Sequence, residues 1–109
     1  PFMDSKTINL TGGIVINKDV SIISDTPNGV KITTGNNVPT MTINNFNVVL
    51  QNLGIIGGNA TTGRALVNNG NLICNDVLFI DSQISNVSGG SIVNNGTILF
   101  NGSSALKKE

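Results

Sequence analysis

The chain has 109 residues with six basic and six acidic side chains, and 18 asparagines and 13 glycines make up much of its polar content. The balanced charge offers no attraction to nucleic acid or to an anionic membrane surface, so nucleic acid is not expected as a partner. The apolar runs are too short for membrane insertion as a helix, and the single cysteine permits neither an internal disulfide nor a cysteine metal cluster. Abundant Ile, Val and Leu indicate one folded domain over residues 1–109.

Four apolar, β-branched segments recur along the chain, each interrupted by an asparagine-containing corner. In chain order they cover residues 14–22, 41–50, 65–74 and 91–100. Counted from Ile16 through Ile43 and Val67 to Val93, the steps are 27, 24 and 26 residues, which lies in the range of solenoid repeats. Each segment therefore predicts two strands that are separated by a corner.

A third apolar run follows each of the first three segments, at residues 30–32, 53–56 and 77–80. A variable connection rich in Gly, Asn, Ser and Thr then leads to the next repeat. Three strands per repeat and one variable corner predict an all-β fold, namely a single-stranded parallel β-helix of about four coils with three strands per coil.

Equivalent residues of successive coils lie about 4.8 Å apart in such a solenoid, so like side chains stack in ladders. Three inward ladders are expected: Ile16, Ile43, Val67 and Val93; Val20, Val48, Leu72 and Ile98; and Ile22, Leu50, Cys74 and Phe100. An asparagine ladder is expected at the corner, formed by Asn17, Asn44, Asn68 and Asn94. The Asn69–Gly70 and Asn95–Gly96 pairs are expected to supply positive φ angles.

Residues 89–98, which read GGSIVNNGTI, combine a glycine pair, an aliphatic strand and an Asn-Gly corner. In this the chain resembles the pectate-lyase-like right-handed β-helix superfamily. Its sequence pattern is similar to that of adhesin-like surface proteins of methanogenic archaea and of polymorphic outer-membrane proteins of bacteria. The resemblance implies a right-handed β-helix at the cell surface or outside the cell. The chain departs from the family signature at Ser91, where those proteins have alanine, and in lacking the companion Phe-x-x-Asn motif.

No group of residues predicts an active site. Histidine, the commonest general base, is missing, and the six carboxylates are scattered. The only arginine, Arg64, adjoins a variable corner and is expected to be a solvated charge, while Cys74 falls in an inward ladder, where a thiol behaves as a small hydrophobe. The chain is therefore expected to have no enzymatic activity, no cofactor and no metal.

If Val48 and Leu50 point inward, strand alternation turns a set of aliphatic residues outward. This predicted outer stripe comprises Val49, Ile73, Leu99, Leu66, Ile92, Leu78 and Ile80. A contiguous apolar surface is seldom left in water, so the stripe is expected to pack on another copy, on neighbouring coils of a longer chain, or on a partner such as a surface glycan or a host protein. A one-residue slip at any strand would invert a face.

These features predict a non-enzymatic structural or adhesive module of an extracellular surface or filament protein, which assembles through the predicted outer stripe and open solenoid ends. A carbohydrate-binding or carbohydrate-cleaving β-helix, of the polysaccharide-lyase or tail-spike type, is the alternative. Four Phe with no Trp or Tyr weigh against it, because sugar platforms are usually aromatic. An ice-binding solenoid needs regularly spaced threonines, and only residues 40–42 approximate that pattern.

Overall fold

The structure is a computed structural model that describes residues 6–25, 30–34, 38–57, 65–81 and 92–108. These residues form 13 short strands and no helix, so no helix long enough to cross a membrane occurs among them. The strands are β1 (Lys6–Asn9), β2 (Ile14–Ile16), β3 (Val20–Ile23), β4 (Val30–Thr33), β5 (Met41–Ile43), β6 (Asn47–Gln51), β7 (Leu53–Ile56), β8 (Leu66–Asn68), β9 (Asn71–Asn75), β10 (Leu78–Asp81), β11 (Ile92–Asn94), β12 (Thr97–Asn101) and β13 (Ala105–Lys108).

The strands pair in parallel to make three sheets. Sheet A has the order β1-β4-β7-β10-β13, sheet B the order β2-β5-β8-β11, and sheet C the order β3-β6-β9-β12. The chain passes through B, C and A in turn, so each circuit is one coil of three strands, and β1 adds a fifth strand to sheet A. The predicted parallel β-helix of four coils with three strands per coil is confirmed.

Sheet C follows the predicted register through all four coils. Its two inward ladders are Val20–Val48–Leu72–Ile98 and Ile22–Leu50–Cys74–Phe100. The members in the two middle coils are buried, whereas those in the first and fourth coils are half-buried or exposed because a coil covers them on one side only. Two of the three predicted inward ladders are thus confirmed.

Sheet B has a register that differs from the prediction in the third and fourth coils. Ile16 pairs with Ile43 as predicted, but Ile43 pairs with Asn68 and not with Val67. The inward ladders are Ile14–Met41–Leu66–Ile92 and Ile16–Ile43–Asn68–Asn94. The prediction that Val67 and Val93 face the core is therefore wrong, since alternation turns both to the outer face.

The cause of this shift is one additional residue in the corner of the second coil. Three residues separate Ile43 from Asn47, but only two separate Asn68 from Asn71. The second coil absorbs the extra residue in a tight three-residue turn, in which the N–H of Phe46 donates to the carbonyl of Asn44 at 2.7 Å. When the repeats are aligned on their sheet C strands, the sheet B strands of the third and fourth coils are displaced by one residue. Their inward and outward positions are then exchanged.

Gly70 and Gly96 occupy the corners of the third and fourth coils without positive φ, so that part of the prediction is wrong. Close approach of the neighbouring coil explains both glycines instead. A Cβ on Gly70 would lie 2.4 Å from the carbonyl oxygen of Asn44, and one on Gly96 would lie 2.0 Å from the carbonyl oxygen of Gly70. Successive corners are stacked too closely for any side chain at these positions.

Left-handed backbone lies instead at the corner between sheets C and A. Asn52, Asp76 and Gly102 follow the paired residues of β6, β9 and β12 and have φ angles of 60°, 58° and 64°. Asn, Asp and Gly are the residues that tolerate this conformation best. Three successive coils therefore turn this corner in the same way.

Candidate functional site

The outer face of sheet C carries a groove of about 620 Å³ that runs across all four coils. Two parallel rows of side chains flank it, because residues two apart on a strand share a face. The polar row is Asp19, Asn47, Asn71 and Thr97, and the aliphatic row is Ser21, Val49, Ile73 and Leu99. The groove is the candidate site because it is concave and its chemistry repeats from coil to coil.

The polar row is a chain of hydrogen bonds along the solenoid axis. The Oγ1 of Thr97 donates to the Oδ1 of Asn71 at 2.6 Å, and the Nδ2 of Asn71 donates to the Oδ1 of Asn47 at 2.9 Å. The backbone N–H of Asn47 in turn donates to the Oδ1 of Asp19 at 2.8 Å. The row therefore presents a rigid polar edge whose members hold one another in place.

The aliphatic row contains three residues of the predicted outer stripe in the predicted register. Val49 is half-buried, whereas Ile73 and Leu99 are 39% and 55% exposed. Ser21 occupies the equivalent position in the first coil, so the apolar surface covers the second to fourth coils. The predicted outward orientation of these three residues is confirmed.

The other four residues of the predicted outer stripe do not extend this surface. Leu66 has no exposed area and Ile92 packs against the core, so their predicted exposure is wrong, for the reason given by the register of sheet B. Leu78 lies in sheet A between Gly54 and Ala105 and is half-buried. Ile80 shares its face with Leu78 but is only 7% exposed. Of the predicted outer stripe, only the three residues of sheet C therefore form an exposed apolar row.

The predicted asparagine ladder is divided between two different rows. The Nδ2 of Asn44 donates to the Oδ1 of Asn17, and the Nδ2 of Asn68 donates to the Oδ1 of Asn94 at 2.9 Å. Asn68, however, is the counterpart of Ile43 and not of Asn44. The four residues thus form two pairs and not one ladder, because of the extra corner residue in the second coil.

Two further asparagine pairs escaped the sequence-based prediction. The Nδ2 of Asn95 donates to the Oδ1 of Asn69 at 2.9 Å, and the Nδ2 of Asn101 donates to the Oδ1 of Asn75 at 3.0 Å. Each pair is separated by 26 residues, as are the neighbouring apolar ladder members in these coils. Applying the apolar period to the amides would have identified them.

Asn68 is a polar residue at the sheet B–sheet C corner of the third coil and is fully buried. Its Oδ1 accepts the N–H of Gly70 at 3.1 Å, and its Nδ2 approaches the carbonyl oxygens of Gly70 and Thr97 at 3.2 and 3.0 Å as well as Asn94. No buried side-chain nitrogen or oxygen in the described part of the chain lacks a partner. Asn68 therefore closes a polar network inside an apolar core.

Among the described residues, no group of three or more His, Cys, Asp or Glu is placed to hold a metal ion. Asp76 accepts the backbone N–H of Ser103 at 2.8 Å, which stabilises a corner. Burial raises the pKa of the Cys74 thiol to about 12, so it is protonated and unreactive at neutral pH. Arg64 lies outside the described residues.

Comparisons of the chain with protein-family models, with curated proteins and with solved structures find no match. The resemblance to the pectate-lyase-like superfamily therefore stays a prediction.

Proposed function

We propose that this protein is a non-enzymatic, structural β-helix module of an extracellular surface or filament protein, and that it associates with further copies through the outer face of sheet C. The observation that carries the proposal is the aliphatic row beside the groove. Ile73 and Leu99 expose large apolar side chains at matching positions of adjacent coils, on a face that is otherwise regular and uncharged except for Asp19. A row of this kind suits packing against another sheet.

The size of the row sets the strength of the contact. Covering the exposed parts of Ile73 and Leu99 contributes about 1 kcal/mol each, since full burial of such a side chain contributes about 1.5–3 kcal/mol. Two copies that face each other would cover four such side chains, or about 4 kcal/mol. This only reaches the lower end of the association cost of about 4–15 kcal/mol. A single pair is therefore weak, and repeated contacts along a filament or array are needed.

The experiment compares two lysine variants matched for exposure. Leu99→Lys puts a charge on the aliphatic row, whereas Val15→Lys puts one on the outer face of sheet B, and the two wild-type side chains are 55% and 57% exposed. Sedimentation across protein concentrations should show weak, concentration-dependent association that Leu99→Lys abolishes and Val15→Lys retains.

The control for this experiment is circular dichroism, which should show that both variants stay folded. A wild-type chain that remains monomeric up to about 1 mM, the range of the weakest specific complexes, would contradict the proposal. Equal loss of association in both variants would show that the contact does not involve the aliphatic row.

A carbohydrate-binding function is the second candidate, and the groove is the observation that favours it. A polar row facing an aliphatic row matches the mixed hydroxyl and C–H surface of a sugar chain, and Asn71 uses one of its two side-chain N–H groups within the row. Glycan-array binding that is lost in Asn71→Ala and retained in Asn95→Ala, an exposed amide elsewhere, would support this candidate. Absence of binding to any glycan would eliminate it.

A further inference from the structure

Asn-Gly pairs are chemically reactive. The glycine nitrogen can attack the Cγ of the asparagine side chain, and glycine has no side chain to obstruct the ring that forms. The chain has four such pairs, at residues 28–29, 69–70, 95–96 and 101–102. The first lies outside the described residues. The other three occupy corners of the third and fourth coils, where their surroundings differ.

Two of the pairs have the attacking nitrogen engaged. The backbone N–H of Gly70 donates to the Oδ1 of Asn68 at 3.1 Å, and that of Gly96 donates to the Oδ1 of Asn94 at 3.1 Å. To attack the neighbouring asparagine, each nitrogen must first leave this acceptor. Solvent exposure does not distinguish the sites, because Asn95 and Asn101 are both exposed. Only at Asn95 is the N–H of the following glycine hydrogen-bonded, to the Oδ1 of Asn94.

Asn101–Gly102 lacks this restraint. At the equivalent corner of the second coil, the N–H of Asn52 donates to the carbonyl of Asn75 at 3.0 Å. At that of the third coil, the N–H of Asp76 donates to the carbonyl of Asn101 at 3.2 Å. Each bond thus reaches one coil further along the solenoid. Strand β12 lies at the edge of sheet C, so Gly102 has no corresponding acceptor among the described residues. Both Asn101 and Gly102 are exposed to water.

We propose that Asn101 is a site of spontaneous deamidation, and that Asn69 and Asn95 are protected by their corners. The Gly102 nitrogen loses its proton and forms a bond to Cγ of Asn101, and the C–N bond of the side-chain amide breaks to release ammonia. Water then opens the resulting succinimide to aspartate or isoaspartate. Deamidation removes the side-chain N–H that Asn101 donates to the Oδ1 of Asn75, and it places a carboxylate beside that Oδ1.

The test is incubation of dilute, folded protein at mildly alkaline pH, followed by peptide mapping for the mass change from amide to acid. Asn101 should deamidate about threefold to tenfold faster than Asn95, because one hydrogen bond must open at Asn95. Asn94→Ala removes the acceptor of the Gly96 N–H and should raise the rate at Asn95 towards that at Asn101, with the rate at Asn101 unchanged.

Unfolded protein in urea is the reference state, in which the three sites should react at similar rates. Equal rates at Asn95 and Asn101 in the folded protein would overturn the proposal. So would an Asn94→Ala variant, shown to be folded by circular dichroism, in which the rate at Asn95 does not change. The inference is independent of the proposed assembly.

Discussion

At the scale of single residues, the interior of this β-helix combines aliphatic ladders with one deeply buried amide. Asn68 stands in the row occupied by Ile16 and Ile43 in the preceding coils, yet all its polar atoms are bonded within the third and fourth coils. A buried polar group is tolerated only under this condition. The network makes the sheet B–sheet C corner of these two coils a fixed, specific structure.

Cys74 provides a prediction about pH. Burial raises its pKa from 9.0 to about 12, so the unfolded chain loses the thiol proton before the folded one. The contribution of the thiol to stability is fully present below about pH 9 and is lost as the pH rises from 9 towards 12, at about 1.4 kcal/mol per pH unit. Urea denaturation at several pH values should show a steeper alkaline loss of stability in the wild type than in Cys74→Ala.

The Cys74→Ala variant serves as the control because other alkaline titrations are common to both proteins. At neutral pH its stability is lower by the cost of a small cavity, so the slope against pH is the relevant quantity. Parallel pH dependences in the two proteins would show that the thiol is not desolvated.

At the scale of strands and corners, the register of each sheet follows from the corner that precedes it. Sheet C was predictable because its inward positions, such as Val48, Leu72 and Ile98, repeat at a period that the apolar pattern displays directly. The register of sheet B was not predictable in the same way. The two-residue and three-residue corners have similar composition, and only the three-dimensional turn at Asn44–Phe46 reveals where the additional residue lies.

The groove was beyond prediction from sequence for a related reason. Alternation along the strands placed Val49, Ile73 and Leu99 on one outer face, but the depth of the concavity depends on how the backbone of sheet C curves. The burial of Ile80, which lies on the outward face of sheet A, likewise depends on packing that no periodicity encodes.

Corner stacking gives a prediction at the level of elements. A Cβ on Gly70 would meet the carbonyl oxygens of Asn44 and Phe46 at 2.4 Å, so Gly70→Ala should force neighbouring corners apart and destabilise the protein by about 1–3 kcal/mol. Gly12 has no atom within 4 Å of the corresponding Cβ position, so Gly12→Ala should leave stability unchanged or raise it by about 0.4–1 kcal/mol.

Thermal or chemical denaturation of both alanine variants provides the measurement. A Gly70→Ala variant as stable as Gly12→Ala would mean that the corners are not packed as closely as the structure has them.

At the scale of the whole molecule, the strand numbers of the three sheets constrain how copies can associate. Sheet A has five strands whereas sheets B and C have four, because β1 lies one level below the first complete coil. If a second copy stacked coaxially so that its β2 and β3 continued sheets B and C, its β1 would occupy the level already taken by β13. End-to-end association, a prediction of the sequence, therefore requires one of these two strands to move.

Deletion of residues 1–9 tests this constraint, because it removes β1 and leaves the four complete coils. We expect the shortened chain to form longer end-to-end assemblies than the full chain, which electron microscopy and light scattering would detect. Combining the deletion with Ile73→Lys distinguishes end-to-end from lateral contacts, since Ile73 is an exposed residue of the inner strand β9 and a lysine there should weaken only the lateral ones. Equal assembly with and without residues 1–9 would show that β1 does not obstruct stacking.

The corner formed by Asn52, Asp76 and Gly102 bears on how such a molecule can change in length. Because three successive coils leave sheet C through the same backbone conformation, a cut at this corner in one coil and a join at the same corner in another would add or remove a whole circuit. Every row of side chains would continue in phase across the joint. Duplication of the gene segment that encodes one coil would therefore lengthen the solenoid and keep its ladders in register. An inserted residue within a strand would instead exchange its inward and outward side chains.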